Sequence, residues 1–298
     1  MDPNDRRDAT ESWPSHRLTD EERVAFGRDG YFIVAGALDA TLRTAVEHVV
    51  DERDAAFRAS PGVGPMHVLN EHALVGKHEV WYTLLDLPAT FPKVFGLMGW
   101  NIKLFHTQLL VTPPVGPRAS PGGYGWHQDN NRMNLDLATG MAPTAHPMIS
   151  LKVGFFISDL PDTGMGNLCV VPGSHTRAFD PRAPLELDSR GQPGGAIEIV
   201  ASAGDAIIFD RRLWHSASSN RCDVTRKFVT FGYAYRWLQP KSATCDDTSF
   251  DALGPIRRQL LGACTSANGY YDPQPDDVPL RAWIEANQLH VGGDRSSR

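Results

Sequence analysis

Between residues 102 and 238 short apolar runs alternate with turn residues, and this pattern narrows the possible folds more than any other feature. The runs cover 102–112, 148–158, 168–172, 196–200, 205–210 and 227–238, and they are rich in Val, Ile, Phe and Thr. Such side chains suit a pleated, half-buried surface, and the Gly, Pro and Asp between the runs supply turns. So many short strands in succession predict a mainly β fold, a sandwich or barrel, with helices added in front. The chain has 298 residues, 41% of them hydrophobic, which suffices for one such domain.

The region before residue 102 reads as helical. Thr19 and Glu22 form a capping box at the start of a first helix, which stops at Gly30. A short strand, Tyr31-Phe32-Ile33-Val34, follows, and Asp39 caps a longer helix to about Arg58. Residues 60–78 show no period and read as a covering loop; a third helix spans roughly 88–99. Beyond the strands, helical segments are expected at 253–263 and 280–288. Residues 1–17 are polar and read as a disordered lead-in, leaving 18–298 as a single domain.

Charge and cysteine usage exclude several roles. The formal net charge is -6 with no Lys/Arg-rich block, so no nucleic-acid partner is expected. No run of about 18 apolar residues exists to span a membrane, and the first residues lack the apolar core of a signal peptide. The four cysteines are widely spaced without a CxxC pair, which argues against a disulfide framework and for a reducing, cytoplasmic setting. No heptads appear, and the oligomeric state stays open.

The chemistry-bearing motif is Trp126-His127-Gln128-Asp129, after a Gly-rich turn. Residues two apart on a strand share a face, so His127 and Asp129 can bind one metal while Gln128 points away. A third ligand from a distant strand completes a two-His, one-carboxylate set with open positions, the arrangement of non-haem Fe(II) oxygenases. His215, just past the apolar run Ala206-Ile207-Ile208-Phe209, is the best third ligand. Arg226 follows eleven residues later (226 − 215), where its fork could grip a dicarboxylate co-substrate. His175, in Pro172-Gly173-Ser174-His175, reads as a turn residue. His16 and His290 read as tail residues, and His48 as a helix-face residue.

This ordered set resembles the phytanoyl-CoA dioxygenase family. The matching pieces are Leu18 to Val34 (LTDEERVAFGRDGYFIV), His106 to Pro114 (HTQLLVTPP), Trp126 to Asn130 (WHQDN), Gly166 to His175 (GNLCVVPGSH) and His215 through Arg226. The resemblance spans roughly 18–238. It implies a double-stranded β-helix, a jelly-roll or cupin-like barrel with N-terminal helices and iron inside one mouth. It further implies Fe(II) on His127, Asp129 and His215, 2-oxoglutarate held by Arg226, and O2 as the oxidant. His106 and Gln108 share a face of the strand that lines the co-substrate pocket in relatives. Lys77 lies where some relatives place another basic contact, but the local match is poor and a solvated lysine fits better.

The activity so implied is a dioxygenase that hydroxylates an unactivated C–H bond of a small molecule, a specialised metabolite by inclination, with release of succinate and CO2. Asp129 argues against halogenation, since related halogenases have Gly or Ala there. Asn130, Asn131, Arg132 and Met133 follow the motif and should border the mouth, as should Trp237; they are the candidate substrate contacts. Two rivals remain: a jelly-roll hydrolase or isomerase using the same His/Asp/His site with another metal, and a non-catalytic binding protein. Hydrolysis needs no dicarboxylate clamp, so Arg226 weighs against the first.

Overall fold

The computed structural model describes residues 8–116, 124–129, 147–177, 186–189, 191–242, 244, 252–265 and 268–289. Among the described residues ten strands form two antiparallel sheets. They are β1 (Tyr31–Val34), β2 (Leu69–His72), β3 (Ile102–Thr112), β4 (Tyr124–His127), β5 (Ser150–Phe156), β6 (Leu168–Val170), β7 (Ile197–Glu198), β8 (Ala206–Asp210), β9 (His215–Ala217) and β10 (Arg226–Tyr235). The larger sheet runs β1-β8-β5-β10-β3-β2 and the smaller β4-β9-β6-β7, the two sheets of a double-stranded β-helix. Its helices are α1 (Asp20–Asp29), α2 (Ala40–Arg58), α3 (Val80–Leu85), α4 (Phe91–Met98), α5 (Pro255–Leu260) and α6 (Pro279–Ala286). None of the described helices is long and apolar enough to cross a membrane.

The two faces of the large sheet have different work. On β10, Val229, Phe231 and Tyr233 join the hydrophobic core shared with the helices, while Arg226, Phe228 and Thr230 face a cavity between the sheets. The same alternation on β5 sends Leu151, Val153 and Phe155 to the core and Lys152 to the cavity. On β3, His106, Gln108 and Leu110 face the cavity, whereas Leu104 lies in the core. A register shift separates them: His106 pairs with Gly232 and Leu104 with Tyr233, so Phe105 is an extra residue that reverses the alternation. The bulge thus bounds the cavity face of this strand.

The capping box at Thr19, the left-handed Gly30 that ends α1, and the Asp39 cap of α2 are all present. Two expectations need correction. The segment 60–78 contains β2, a short edge strand whose Leu-Asn-Glu-His composition carries too little apolar period to announce itself. Within residues 1–17, taken as a disordered lead-in, Thr10–His16 form a 3-10 turn whose Trp13 is wholly buried. Trp13 packs its ring against Phe91, Phe95 and Trp283 at 5.1, 5.7 and 4.8 Å, and its indole N–H donates to the Asp86 carbonyl at 3.1 Å. One large aromatic can anchor a polar segment, because burying it yields about 2–3 kcal/mol.

Asp86 and Arg257 tie the helices together. The Asp86 carboxylate is fully buried and accepts from Arg257 Nε at 3.0 Å, Arg257 Nη2 at 2.8 Å and the Ala9 N–H at 2.9 Å. Asp8 in turn accepts from the Ile256 and Arg257 N–H groups, at 3.0 and 2.9 Å, which caps α5 from a distant segment.

Candidate metal centre and its cavity

Three donors converge where the two sheets meet. His127 closes β4 and pairs across the ladder with His215 at the start of β9, so their rings lie 4.2 Å apart. Asp129 follows two residues after His127, just past the strand end. One ligand atom from each of the three lies within 4.8 Å of the others. His127 Nε2 is 3.9 Å from Asp129 Oδ1, and His215 Nε2 is 3.6 Å from Asp129 Oδ2. These gaps exceed hydrogen-bond length and suit donors around one cation.

The outward ring nitrogens explain why the inward ones are available. His127 Nδ1 lies 2.8 Å from the Gly125 carbonyl, and His215 Nδ1 lies 2.9 Å from the Leu213 carbonyl. A carbonyl can only accept, so each Nδ1 carries the proton and each Nε2 keeps its lone pair for a metal. Burial pushes His215 down to about 3, against the opposing pull of Asp129, so it is neutral. Two imidazoles turned this way and one carboxylate on one side of a point fit a metal of the Fe(II) class.

Sequence reasoning missed the groups behind the carboxylate. Lys152 Nζ donates to Asp129 Oδ2 at 2.7 Å, and Arg211 Nε lies 3.3 Å from the same oxygen. Burial alone would raise the Asp129 carboxyl, but Lys152 first and Arg211 second hold it well below the usual carboxylate range. Both cations are buried, so Asp129 is ionised and fixed in orientation. The signal was a lone lysine within Ser-Leu-Lys-Val-Gly-Phe-Phe, a strand buried along its whole length. Gln128, facing away as expected, donates through its amide to the Arg212 carbonyl.

From the triad a cavity of about 460 Å³ extends along the sheets to Arg226. Four polar atoms in its lining are buried without partners among the described residues: Arg226 Nε, Thr230 Oγ1 and Ser218 Oγ around one end, and His72 Nδ1. Burial pushes the Arg226 guanidinium down to about 10, which leaves it charged at neutral pH. A buried cation beside two orphaned hydroxyls is unfavourable alone and fits the carboxylate end of a small diacid. His106 and Gln108 line the same cavity. Gln108 Nε2 donates to Asn70 Oδ1 at 2.8 Å, and His106 Nδ1 lies 2.6 Å from Ser242 Oγ.

Arg226 also depends on a glycine. Its Cζ stands 4.4 Å from the centre of the Phe228 ring, and that ring lies over Gly154 of β5. A Cβ on Gly154 would meet Phe228 Cζ at 2.3 Å. Gly154→Ala should therefore displace the ring and the guanidinium with it. The expected cost is about 1–3 kcal/mol in thermal unfolding, with weaker 2-oxoglutarate binding by calorimetry. An unchanged dissociation constant would show that Phe228 does not set the arginine.

Other predicted residues lie elsewhere. Trp237 is absent from the cavity lining; it is 47% exposed and stacks on Tyr235 at 6.0 Å. Asn130, Asn131, Arg132 and Met133 lie outside the described residues, as does His290. Lys77 bonds Glu71 and the His72 carbonyl away from the cavity, and His175 is buried against the Gly30 turn. His48 lies on α2, exposed beside Glu52.

Comparison with known proteins gives consistent relations. The family model described as phytanoyl-CoA dioxygenase matches residues 26–228, more than half of the chain. Among solved structures, HygX from Streptomyces hygroscopicus with nickel and 2-oxoglutarate bound is 17% identical, with a TM-score of 0.58 over 80% of this chain and 95% of that one. EctD from S. alaskensis with bound Fe is 18% identical, with a TM-score of 0.57 over 85% and 88%. The non-heme alpha-ketoglutarate-dependent carbocyclase SnoK from nogalamycin biosynthesis is 22% identical, with a TM-score of 0.56 over 74% and 85%. At these identities the structural likeness speaks for the fold.

Proposed function

The chain belongs to the phytanoyl-CoA dioxygenase family, and on that premise we propose that it is an Fe(II)- and 2-oxoglutarate-dependent dioxygenase that hydroxylates a C–H bond of a small molecule. The observation that carries the reading is the triad, whose Nδ1 atoms are spent on backbone carbonyls and whose Nε2 atoms face Asp129. Iron with 2-oxoglutarate and O2 supplies the oxidising power, consuming the co-substrate to succinate and CO2.

The residues of the chain bind and orient. His127, Asp129 and His215 would hold the metal from one side and leave the cavity side open. Arg226 would anchor the far carboxylate of 2-oxoglutarate, with Thr230 and Ser218 donating to it. Gln108 and His106 flank the path between. Leu110, Leu168 and Phe228 line the same space and keep it poor in water.

Two measurements test this. The wild-type protein should bind Fe(II) and 2-oxoglutarate together under anaerobic conditions, and retention of another metal without 2-oxoglutarate binding would favour the hydrolase or isomerase. With the substrate in hand, isotopically heavy O2 should leave one heavy atom in succinate and one in the product. Ring formation, as in the carbocyclase neighbour, would leave the product unlabelled and overturn hydroxylation.

A further inference from the structure

The charge lining the cavity exceeds what the co-substrate uses. Among the described lining residues Arg226, Lys152 and Lys241 are cationic, and Asp129 is the one acid. The chain as a whole carries -6, so this positive lining is local. Lys152 is spent on Asp129, and Arg226 stands at the far end with its orphaned hydroxyls. Lys241 is left over, with no ion pair or side-chain hydrogen bond among the described residues.

Its position is well defined. The Lys241 N–H donates to the Phe105 carbonyl at 2.8 Å, and the next residue, Ser242, holds His106 Nδ1 at 2.6 Å. The His106 ring lies 5.3 Å from that of His72, whose Nδ1 is buried without a partner. The Lys241 charge bears on both imidazoles and on Lys152, where it adds to burial in keeping each histidine neutral. His106 Nε2 lies 3.5 Å from Gln108 Oε1, so Lys241 is the unspent group on this wall, exposed at the rim beside two neutral imidazoles. Val68, Val115 and Phe209 make other parts of the lining apolar.

We propose that the substrate of this enzyme carries an anionic oxygen group, a carboxylate or phosphate, received by Lys241 at the rim of the cavity beside His72 and His106, and an apolar body that lies in the rest of the cavity. The inference rests on the oxygenase reading above and names its substrate class. Lys241 is exposed at the rim of the cavity, where an unpaired positive charge draws in an anion and can donate to it.

The test uses full-length protein loaded anaerobically with Fe(II) and saturating 2-oxoglutarate. Three probes are titrated by calorimetry: 3-phenylpropanoate, phenyl phosphate and the neutral 3-phenylpropanamide. At least one anion should bind about ten-fold tighter than the amide, and the tighter anion identifies the headgroup. Lys241→Gln should erase that preference, Lys241→Arg should restore most of it, and 2-oxoglutarate affinity should fall far less than anion affinity. Equal binding of acid and amide overturns the proposal, as does a preference that survives Lys241→Gln. So does a 2-oxoglutarate loss in Lys241→Gln as large as the anion loss, which would assign this wall to the co-substrate. Each of those results leaves the oxygenase standing; failure of the wild-type protein to bind 2-oxoglutarate overturns both.

Discussion

Asp129→Ala should lose Fe(II) affinity by at least about 100-fold and, with it, all 2-oxoglutarate turnover. Disturbing groups that merely orient a metal ligand costs 10–100-fold, and here the ligand itself is gone. The substitution has a second effect that an ordinary ligand deletion lacks. Lys152 and Arg211 both point at Asp129 Oδ2 from buried positions, and alanine leaves them without their counter-charge. Removing one partner of a buried pair costs about 3–5 kcal/mol, so the metal-free variant should also melt well below the metal-free wild type. Anaerobic iron titration and thermal unfolding read the two effects separately. Wild-type iron affinity in Asp129→Ala would remove this residue from the metal site. An unchanged melting temperature would mean that Lys152 and Arg211 find other anions or water.

Arg257→Ala should be the most damaging change far from the cavity. It strips the fully buried Asp86 carboxylate of its guanidinium bonds and leaves it, among the described residues, the Ala9 N–H. By the same reasoning the loss is about 3–5 kcal/mol, a fall in melting temperature on the order of 10 °C. Protein that remains folded should bind iron as before, because none of the residues around Asp86 lines the cavity. A fall of a degree or two in thermal unfolding would show that the pair is well replaced by solvent.

Much of this was legible from local chemistry. Capping at Thr19 and Asp39 and the stop at Gly30 are signals within one helical turn, and they predicted α1 and α2 closely. The strands β3, β5, β8 and β10 announced themselves because apolar residues crowd them. The triad was legible because His127 and Asp129 stand two residues apart at a strand end and His215 follows shortly after an apolar run. What escaped depends on tertiary contact. Lys152 reads as an anomaly in a core strand until Asp129 is placed beside it. Trp13 gives no sign that it will find Phe91 and Trp283. The β2 residues Asn70 and His72 look like loop until β3 offers its edge. Trp237, an aromatic near the expected mouth, stacks on Tyr235, a contact that its place in the sequence does not announce.

The bond from Asp8 to the start of α5 joins residues 248 and 249 positions apart. During synthesis the early segment must wait until residue 257 has emerged before Asp8 and Asp86 find their partners, and until residue 283 for Trp13. By then His127, Asp129, His215 and Arg226 have all been made. Contacts of such separation are slow to form because loop closure comes before any gain. The barrel should thus assemble its site first and lock its helical layer last. A released chain truncated near residue 245 should bind iron while remaining open to protease at its N-terminal helices.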